Sequence, residues 1–344
     1  MRCPRAAWIA LATAPLVALM GGCAHDEPSA PIAGATQVAL ALSGLRALDR
    51  ASEGTYEAWA VGSDGSITSA GRFDWTLDGQ TVVTSPIRNP TDFMITVEPP
   101  GDDDAHPSPH KLLGGAFVDG VAVLDVNRYV TAGIPLEPKP GTHVLFTPSD
   151  NAELGYPSYE DAGIWVFNIG EDQEDGSFFI TLTPLTAGWT YEGWVVRDYN
   201  TAGAVWVSYG KFAPDNFRRV NRRDDTGLGP YSGQIDYRYV MPQEIVMPGD
   251  DWLANPQSLP VPGGLTLPFD LNGNAAQGAP SRWTHVITIE PWGRNREPEM
   301  PYDARPFLLQ PYRNPIGEGG PEVPRVIEFY PGALPRGTAT LAVR

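Results

Sequence analysis

Two short stretches decide the fold class: residues 56–61 read YEAWAV, and residues 191–196 read YEGWVV. In the first stretch the side chains alternate, so Tyr56, Ala58 and Ala60 share one face of an extended chain. A repeat of two residues is typical of a β-strand and does not fit a helix. Both stretches therefore predict strands.

Three further blocks recur in the same order around these two strands. The first series has LSGL at 42–45, YEAW at 56–59, GRF at 71–73 and ITVEP at 95–99, and the second has LTPL at 182–185, YEGW at 191–194, GKF at 210–212 and ITIEP at 287–291. Four matching blocks in one order indicate an internal duplication. The second series is the longer one, and most of its extra length lies between Phe212 and His285.

Composition favours the same fold class. The chain contains 37 glycines and 35 prolines, which both disfavour long helices. Short apolar runs, such as residues 38–42 and 178–182, predict further strands, and Ser63–Ser66 (SDGS) predicts a hairpin turn. We predict an all-β protein with two tandem β-sandwiches, Ig-like or related.

The predicted organisation follows from these blocks. It comprises a signal peptide (1–22), a flexible tether (23–35), a first sandwich repeat (36–132), a connecting segment (133–159) and a second repeat (160–344) with an insertion near 213–284.

The N-terminus has the pattern of an export signal. Arg2 and Arg5 precede an uncharged apolar stretch at 6–20, which is short for a membrane span, and LMGGC follows at 19–23. Small residues before a cysteine resemble a bacterial lipobox. That resemblance implies that Cys23 is lipidated and anchors an extracytoplasmic protein, in the outer membrane if the host is Gram-negative. The alternative is an ordinary signal peptide with an incidental cysteine.

The charge of the chain restricts its partners. The formal net charge is −17 at pH 7, which opposes binding to nucleic acid. We expect a membrane contact through the lipid on Cys23, and an envelope protein or a glycan as partner.

The order of the blocks resembles the extracytoplasmic domain of the anti-sigma-K factor (RskA) family. The shared features are a Leu-Gly-Leu strand, a Tyr-Glu-x-Trp strand, an Asp-Gly turn (Asp64, Gly65), a Gly-x-Phe strand and a late strand that ends in Glu-Pro. The second series replaces the Asp-Gly turn with a longer segment at 198–203. The resemblance implies a fold and a compartment. We expect no anti-sigma activity from this chain alone, because we find no cytoplasmic sigma-binding segment and no membrane helix ahead of the repeats.

Two pairs of glutamates occupy matching positions, namely Glu57 with Glu192 and Glu98 with Glu290. Paired carboxylates can perform general acid–base catalysis. A framework role is the alternative, in which each glutamate pairs with a nearby cation or backbone amide. Recurrence in both series favours that framework role.

Two loops have side chains that can bind metals. His106 and His110 lie in an Asp- and Pro-rich loop, and DLNGN at 270–274 faintly resembles a calcium loop without its downstream glutamate. We interpret both as solvated loops and predict no metal and no cofactor.

The insertion and the sequence just after the second series provide the candidate ligand-binding residues. Trp252 and Trp292 lie beside Pro, Gly or Asp, so we expect them to be exposed, and Asp250 and Asp251 adjoin Trp252. We find no catalytic motif, and we predict a non-enzymatic binding or structural module of the cell envelope. The alternatives are an envelope sensor that acts with a separate regulatory protein, and a carboxylate-dependent envelope hydrolase.

Overall fold

Strands make up almost all of the regular structure, so the fold is all-β as predicted. The computed structural model describes residues 35–75, 78–147, 149–150, 160–167, 180–214, 220–222, 231, 248–255, 258–292, 306–317, 319–321 and 323–342. Within these residues there are nineteen strands and one short α-helix, α1 (Asn127–Val130).

The largest sheet has eight strands and takes seven of them from the N-terminal part of the chain. They are β1 (Thr36–Ser43), β2 (Thr55–Val61), β3 (Ile67–Phe73), β4 (Gln80–Ser85), β5 (Asp92–Glu98), β6 (Lys111–Val118) and β7 (Val121–Leu124), and the eighth is β19 (Arg336–Leu341) at the C-terminal end.

The order of this sheet is β3-β2-β5-β6-β7-β19-β1-β4, and the neighbouring strands are antiparallel. In β1 every second side chain is buried, beginning with Thr36, so this strand has one face on the core and one in solvent. All seven residues of β5 are buried.

Two further sheets come from the C-terminal part of the chain. The remaining strands are β8 (Thr142–Leu145), β9 (Gly163–Phe167), β10 (Trp189–Arg197), β11 (Val205–Pro214), β12 (Val220–Arg222), β13 (Gly249–Asp251), β14 (Gly273–Asn274), β15 (Ala279–Pro280), β16 (Trp283–Pro291), β17 (Leu309–Pro315) and β18 (Arg325–Val326). The order is β12-β11-β10-β16-β17 in the five-stranded sheet and β13-β9-β8-β18 in the four-stranded sheet, while β14 and β15 form a small hairpin.

One core cluster joins the sheets. It contains Val38 from β1, Ile95 from β5, Tyr191 from β10 and Ile164 from β9, all at most 1% exposed. Residues 34–344 accordingly form one compact unit. The predicted tandem-sandwich arrangement and its boundaries stay predictions.

Matching residues of the two series make matching contacts. The indole Nε1 of Trp59 donates to Thr96 Oγ1 at 2.9 Å, and that of Trp194 donates to Thr288 Oγ1 at 3.0 Å. The strand pairs that carry these contacts, β2–β5 and β10–β16, have corresponding registers. The pairings β2–β3 and β10–β11 each contain an irregularity just before the tryptophan.

The structure differs from the sequence prediction at 178–182, where a strand was expected. Residues 178–179 lie outside the described part, and Ile180 to Leu182 are not in a strand. The amide of Thr181 donates to Pro140 O at 2.7 Å. We attribute the absence of strand pairing at 180–182 to the proline-rich segment 135–140 that it contacts, because a proline has no amide hydrogen to donate to a neighbouring strand.

Two strands cross the predicted repeat boundaries. β8 lies inside the predicted connecting segment but pairs with β9. β19 lies at the end of the predicted second repeat but pairs with β1 and β7. The pairings of β19 join residues far apart in the chain, such as Leu42 and Gly337, which local sequence patterns do not indicate.

Candidate ligand-binding pocket

The pocket opens where the five-stranded sheet ends. Tyr191, Val195 and Arg197 lie on the same face of β10, because successive side chains of a strand alternate. Tyr191 and Val195 belong to the core, so Arg197 continues the core face to the end of the strand. In the ladder, Arg197 is directly opposite Trp283 of β16.

Aromatic side chains form the floor of the pocket. The ring centroids of Trp283 and Phe269 are 4.9 Å apart, and those of Phe269 and Trp252 are 5.6 Å apart. Phe269 is held in place because its amide donates to Trp252 O at 3.1 Å. The floor itself consists of the Trp283 and Phe269 rings, and stacking of Phe269 on the underlying Trp252 fixes it.

A hairpin closes one side of the pocket. Gly273 of β14 has φ +67°, and a Cβ at this position would lie 2.3 Å from Ser281 N. Only glycine fits, because the backbone is left-handed and the opposite strand is close. Asp270 Oδ1 accepts the Gly273 amide at 2.7 Å and so caps the turn.

The pocket has a volume of about 270 Å³. Its lining includes Arg197, Leu265 and Asp270 as well as Arg282 and Trp283. The size is near the lower end of the range for small-molecule sites, roughly 300–1,000 Å³. An apolar floor with a few polar groups at the mouth is the arrangement expected of such a site.

The two arginines of the pocket differ in their partners. Arg282 is paired with the carboxylate of Asp198, with Nε 2.7 Å from Oδ1. Arg197 is half-buried and forms no ion pair with any of the described residues. The positive charge of Arg197 is therefore available to a ligand.

A separate polar cluster lies in the core between the five- and four-stranded sheets. His285 of β16 and His143 of β8 are both 0% exposed, with ring centroids 4.6 Å apart. His285 Nε2 is 2.9 Å from the Tyr209 hydroxyl. Among the described residues, neither ring nitrogen of His143 has a hydrogen-bond partner, and His285 Nδ1 has none either.

Burial determines the charge state of both histidines. Desolvation lowers the pKa of His285 to about 3. The pKa of His143 is well below its ordinary value because of burial, and His285 and Arg325 lower it further. Both rings are neutral at pH 7.

This cluster occurs only in the second series. At matching positions the first series has Ala58 for Gly193, Ala70 for Tyr209 and Phe93 for His285. A Cβ on Gly193 would lie 1.6 Å from Tyr209 Cζ, so the glycine makes room for the tyrosine ring. Our sequence analysis missed the cluster, and a comparison of these matched positions could have revealed it.

The structure places the sequence-predicted site residues away from a common surface. Trp252 is 1% exposed, so the prediction that it is exposed is wrong. Its loop packs back on the core, where Trp252 lies beneath Phe269. Trp292 is half-buried, its amide donates to Gly188 O at 2.7 Å, and it does not line the pocket.

Asp250 and Asp251 are also buried, at 1% and 0% exposure. Asp251 Oδ2 accepts the Ser149 amide at 3.0 Å, and Asp250 Oδ1 accepts the Asp251 amide at 2.9 Å. Both carboxylates therefore have backbone partners in the interior. Their proposed role in ligand binding stays a prediction without support from their position.

The side chains of the two candidate metal loops have partners of their own. His106 Nδ1 is 2.7 Å from Asp104, whereas His110 is buried with its ring 6.0 Å from that of Trp189. Asn274 Oδ1 accepts the Gln277 amide at 3.1 Å. Within the described ranges, no three His, Cys, Asp or Glu side chains are grouped to hold a metal ion.

The paired glutamates behave as framework residues. Each of the first pair accepts a hydrogen bond from a serine and forms an ion pair with a cation of the neighbouring strand. These contacts are Ser69 Oγ–Glu57 Oε1 (2.5 Å), Arg72 Nε–Glu57 Oε2 (2.8 Å), Ser208 Oγ–Glu192 Oε1 (2.7 Å) and Lys211 Nζ–Glu192 Oε2 (2.8 Å).

The second pair binds backbone amides. Glu98 accepts the Ser108 amide at 3.2 Å, and Glu290 accepts the Phe307 amide at 2.8 Å. Burial raises the pKa of Glu98, and the hydrogen bonds from Thr96 and Ser108 counter part of this rise. The contacts of these four glutamates, with nearby cations, serines and backbone amides, are those that the framework interpretation expects.

The predicted lipidation site, Cys23, and the predicted signal peptide lie outside the described residues. Among the helices that the structure describes, none has the length and apolar character needed to cross a membrane.

One comparison with known proteins gives a match. The family model described as "Anti-sigma-K factor rskA, C-terminal" matches residues 5–111, which is less than half of the 344-residue chain. No curated protein and no solved structure matches the chain. The N-terminal part of this protein, through the start of β6, is thus similar to the C-terminal domain of the anti-sigma-K factor.

Proposed function

We propose that this protein is a lipid-anchored extracytoplasmic binding module of the bacterial cell envelope, and that it binds its ligand in the pocket at the end of β10. The observation that carries the binding role is the half-buried Arg197, which has no ion pair among the described residues and lines the pocket together with Phe269 and Trp283. A fixed apolar floor beside an available charge suits reversible recognition of a small ligand.

The location rests on the sequence of the N-terminus. Basic residues, an apolar stretch and a small-residue cysteine motif support export and lipidation at Cys23. The proposed partners are the membrane, through the lipid, and an envelope protein or glycan. The family match to residues 5–111 supports an anti-sigma-K-like domain and not an enzyme family.

We further propose that the eight-stranded sheet and the five-stranded sheet carry copies of one domain, in two tandem sandwiches. Support comes from matching contacts. The indoles of Trp59 and Trp194 each donate to a threonine hydroxyl, and the carboxylates of Glu57 and Glu192 each accept from a serine hydroxyl. Only the second copy would carry the pocket, because residues 265–283 of the insertion line most of it.

Lipidation predicts that Cys23 is required for membrane attachment. Replacing it in Cys23→Ser should move the protein from the membrane fraction to the soluble envelope fraction and abolish incorporation of an alkyne-labelled fatty acid. The reason is that the acyl chains supply the anchoring free energy, about 0.8 kcal/mol for each buried methylene group. The conservative Cys3→Ser variant is the control and should remain labelled. Equal labelling of both variants would contradict the proposed anchor.

Filling the pocket should abolish ligand capture. Ala279 is an exposed residue of the pocket lining, so in Ala279→Trp the new ring would occupy the pocket. The control, Ala51→Trp, places the same ring in an exposed turn of the N-terminal part. Tagged protein would be purified from the source bacterium and the co-purified envelope molecules identified by mass spectrometry. We expect at least a tenfold loss of one ligand class in Ala279→Trp and none in Ala51→Trp. An unchanged profile in both variants would argue against the pocket as binding site.

A further inference from the structure

The pocket at the end of β10 contains charges that restrict its ligand. The carboxylate of Asp198 neutralises Arg282, which leaves Arg197 as the cation without an ion pair among the described lining residues. Asp270 is an exposed carboxylate on the same lining, and only its Oδ1 atom is used by the turn. The pocket therefore presents one available cation and one anion.

A guanidinium group at this position suits a carboxylate. Its planar set of N–H donors matches the two oxygens of a carboxylate, and a low-polarity floor strengthens the attraction. The floor is of this kind, because Trp283 and Phe269 are 7% and 3% exposed. A dianionic group such as phosphate suits the pocket less well, because Asp270 would repel its second charge.

The other lining residues determine which groups the rest of the ligand can carry. Leu265 and the rings of Phe269 and Trp283 offer apolar surface for a small aliphatic side chain. The exposed Asp270 can accept a hydrogen bond from an N–H group. With a volume of about 270 Å³, the pocket can hold only a short terminal part of a larger molecule.

From this arrangement we infer that the pocket takes the carboxylate end of a short peptide whose side chains are small and uncharged. Arg197 binds the terminal carboxylate, Asp270 accepts a peptide N–H, and the aromatic floor contacts the small side chains. This inference rests on the proposed binding function and specifies the ligand class of that same pocket.

The test uses two matched probes, trialanine as free acid and trialanine as C-terminal amide, with the purified full-length chain. Saturation-transfer NMR at millimolar probe concentration measures binding. We expect transfer to the acid, and at least tenfold weaker binding of the amide. Arg197→Gln should lose the preference for the acid, whereas Arg50→Gln, which removes an exposed arginine of the N-terminal part, should keep it.

Three results would overturn the inference: equal binding of acid and amide, an acid preference that survives in Arg197→Gln, and no transfer to the acid. These failures are separable from a failure of the proposed function. If Ala279→Trp abolishes capture of an envelope ligand while trialanine shows no carboxylate preference, the pocket is a binding site for another ligand class.

Discussion

Acidification from pH 7.5 to pH 5 is expected to lower the free energy of unfolding by about 2 kcal/mol for each of the two core histidines. His143 and His285 are fully buried, and burial depresses the pKa of both, that of His285 to about 3. In the unfolded chain each ring titrates near pH 6.5. Below that pH the unfolded state binds protons that the folded state does not, so stability falls as the pH falls.

Urea unfolding at a series of pH values, followed by tryptophan fluorescence, measures this effect. His143→Leu should remove about 2 kcal/mol of the pH dependence, because the leucine cannot be protonated. His106→Leu is the matched control, because the His106 side chain is 86% exposed and this variant keeps the buried His143 ring, so its free energy of unfolding should still fall on acidification. A His143→Leu variant with the full wild-type pH dependence would show that this ring is not kept neutral by burial.

Removing one partner of the buried ion pair in the second series should destabilise the fold strongly. Lys211 and Glu192 have side chains 2% and 0% exposed, with Nζ 2.8 Å from Oε2. In Lys211→Ala the carboxylate loses its cation in the interior, and we expect a loss of about 3–5 kcal/mol. The free energy of unfolding from chemical denaturation measures it.

The N-terminal series provides the control for that prediction. Arg72 pairs with Glu57 at the matching position, but its side chain is 38% exposed. The Glu57 side chain is 7% exposed and lies under Arg72, so Arg72→Ala opens the carboxylate to water as well as removing the pair with Asp102. We therefore expect a smaller loss than in Lys211→Ala, about 1–2 kcal/mol. Equal losses in Lys211→Ala and Arg72→Ala would contradict the argument from burial.

The sequence patterns predicted the local elements well. The alternation in residues 56–61 predicted a strand with Tyr56 and Ala58 on one face; β2 forms there, and both side chains lie in the core cluster. The SDGS turn forms as expected, with the Gly62 amide donating to Ser66 O at 2.8 Å and Gly65 at φ +80°. The alternation of a strand and the formation of a turn depend on residues that are close in sequence, so a single sequence is enough to predict them.

Long-range pairing could not be predicted in the same way. The insertion of β19 between β1 and β7 joins residues almost 300 positions apart, such as Leu42 and Gly337. A short strand with no distinctive motif fits many partners, and the global packing of the sheet selects one.

The candidate site was predicted only in part. The insertion near 213–284 was expected to carry recognition, and residues 265–283 line the pocket, but Trp252 is beneath the floor and not on the surface. Neighbouring Pro, Gly and Asp residues indicate a loop, yet they do not reveal whether the loop packs inward. Arg197 was not singled out, because a sequence does not show which described residues pair with an arginine, and here the nearby Asp198 pairs with Arg282.

The central claim is that the pocket at the end of β10 binds an envelope ligand in the cell. The most direct test introduces a photo-reactive benzoylphenylalanine at Thr266, an exposed residue of the pocket lining, in the full-length protein of intact cells. Thr84, exposed on β4, is the control position. Our account predicts a discrete, reproducible adduct after irradiation from Thr266 and none from Thr84. No adduct from Thr266, or the same adducts from both positions, would contradict it.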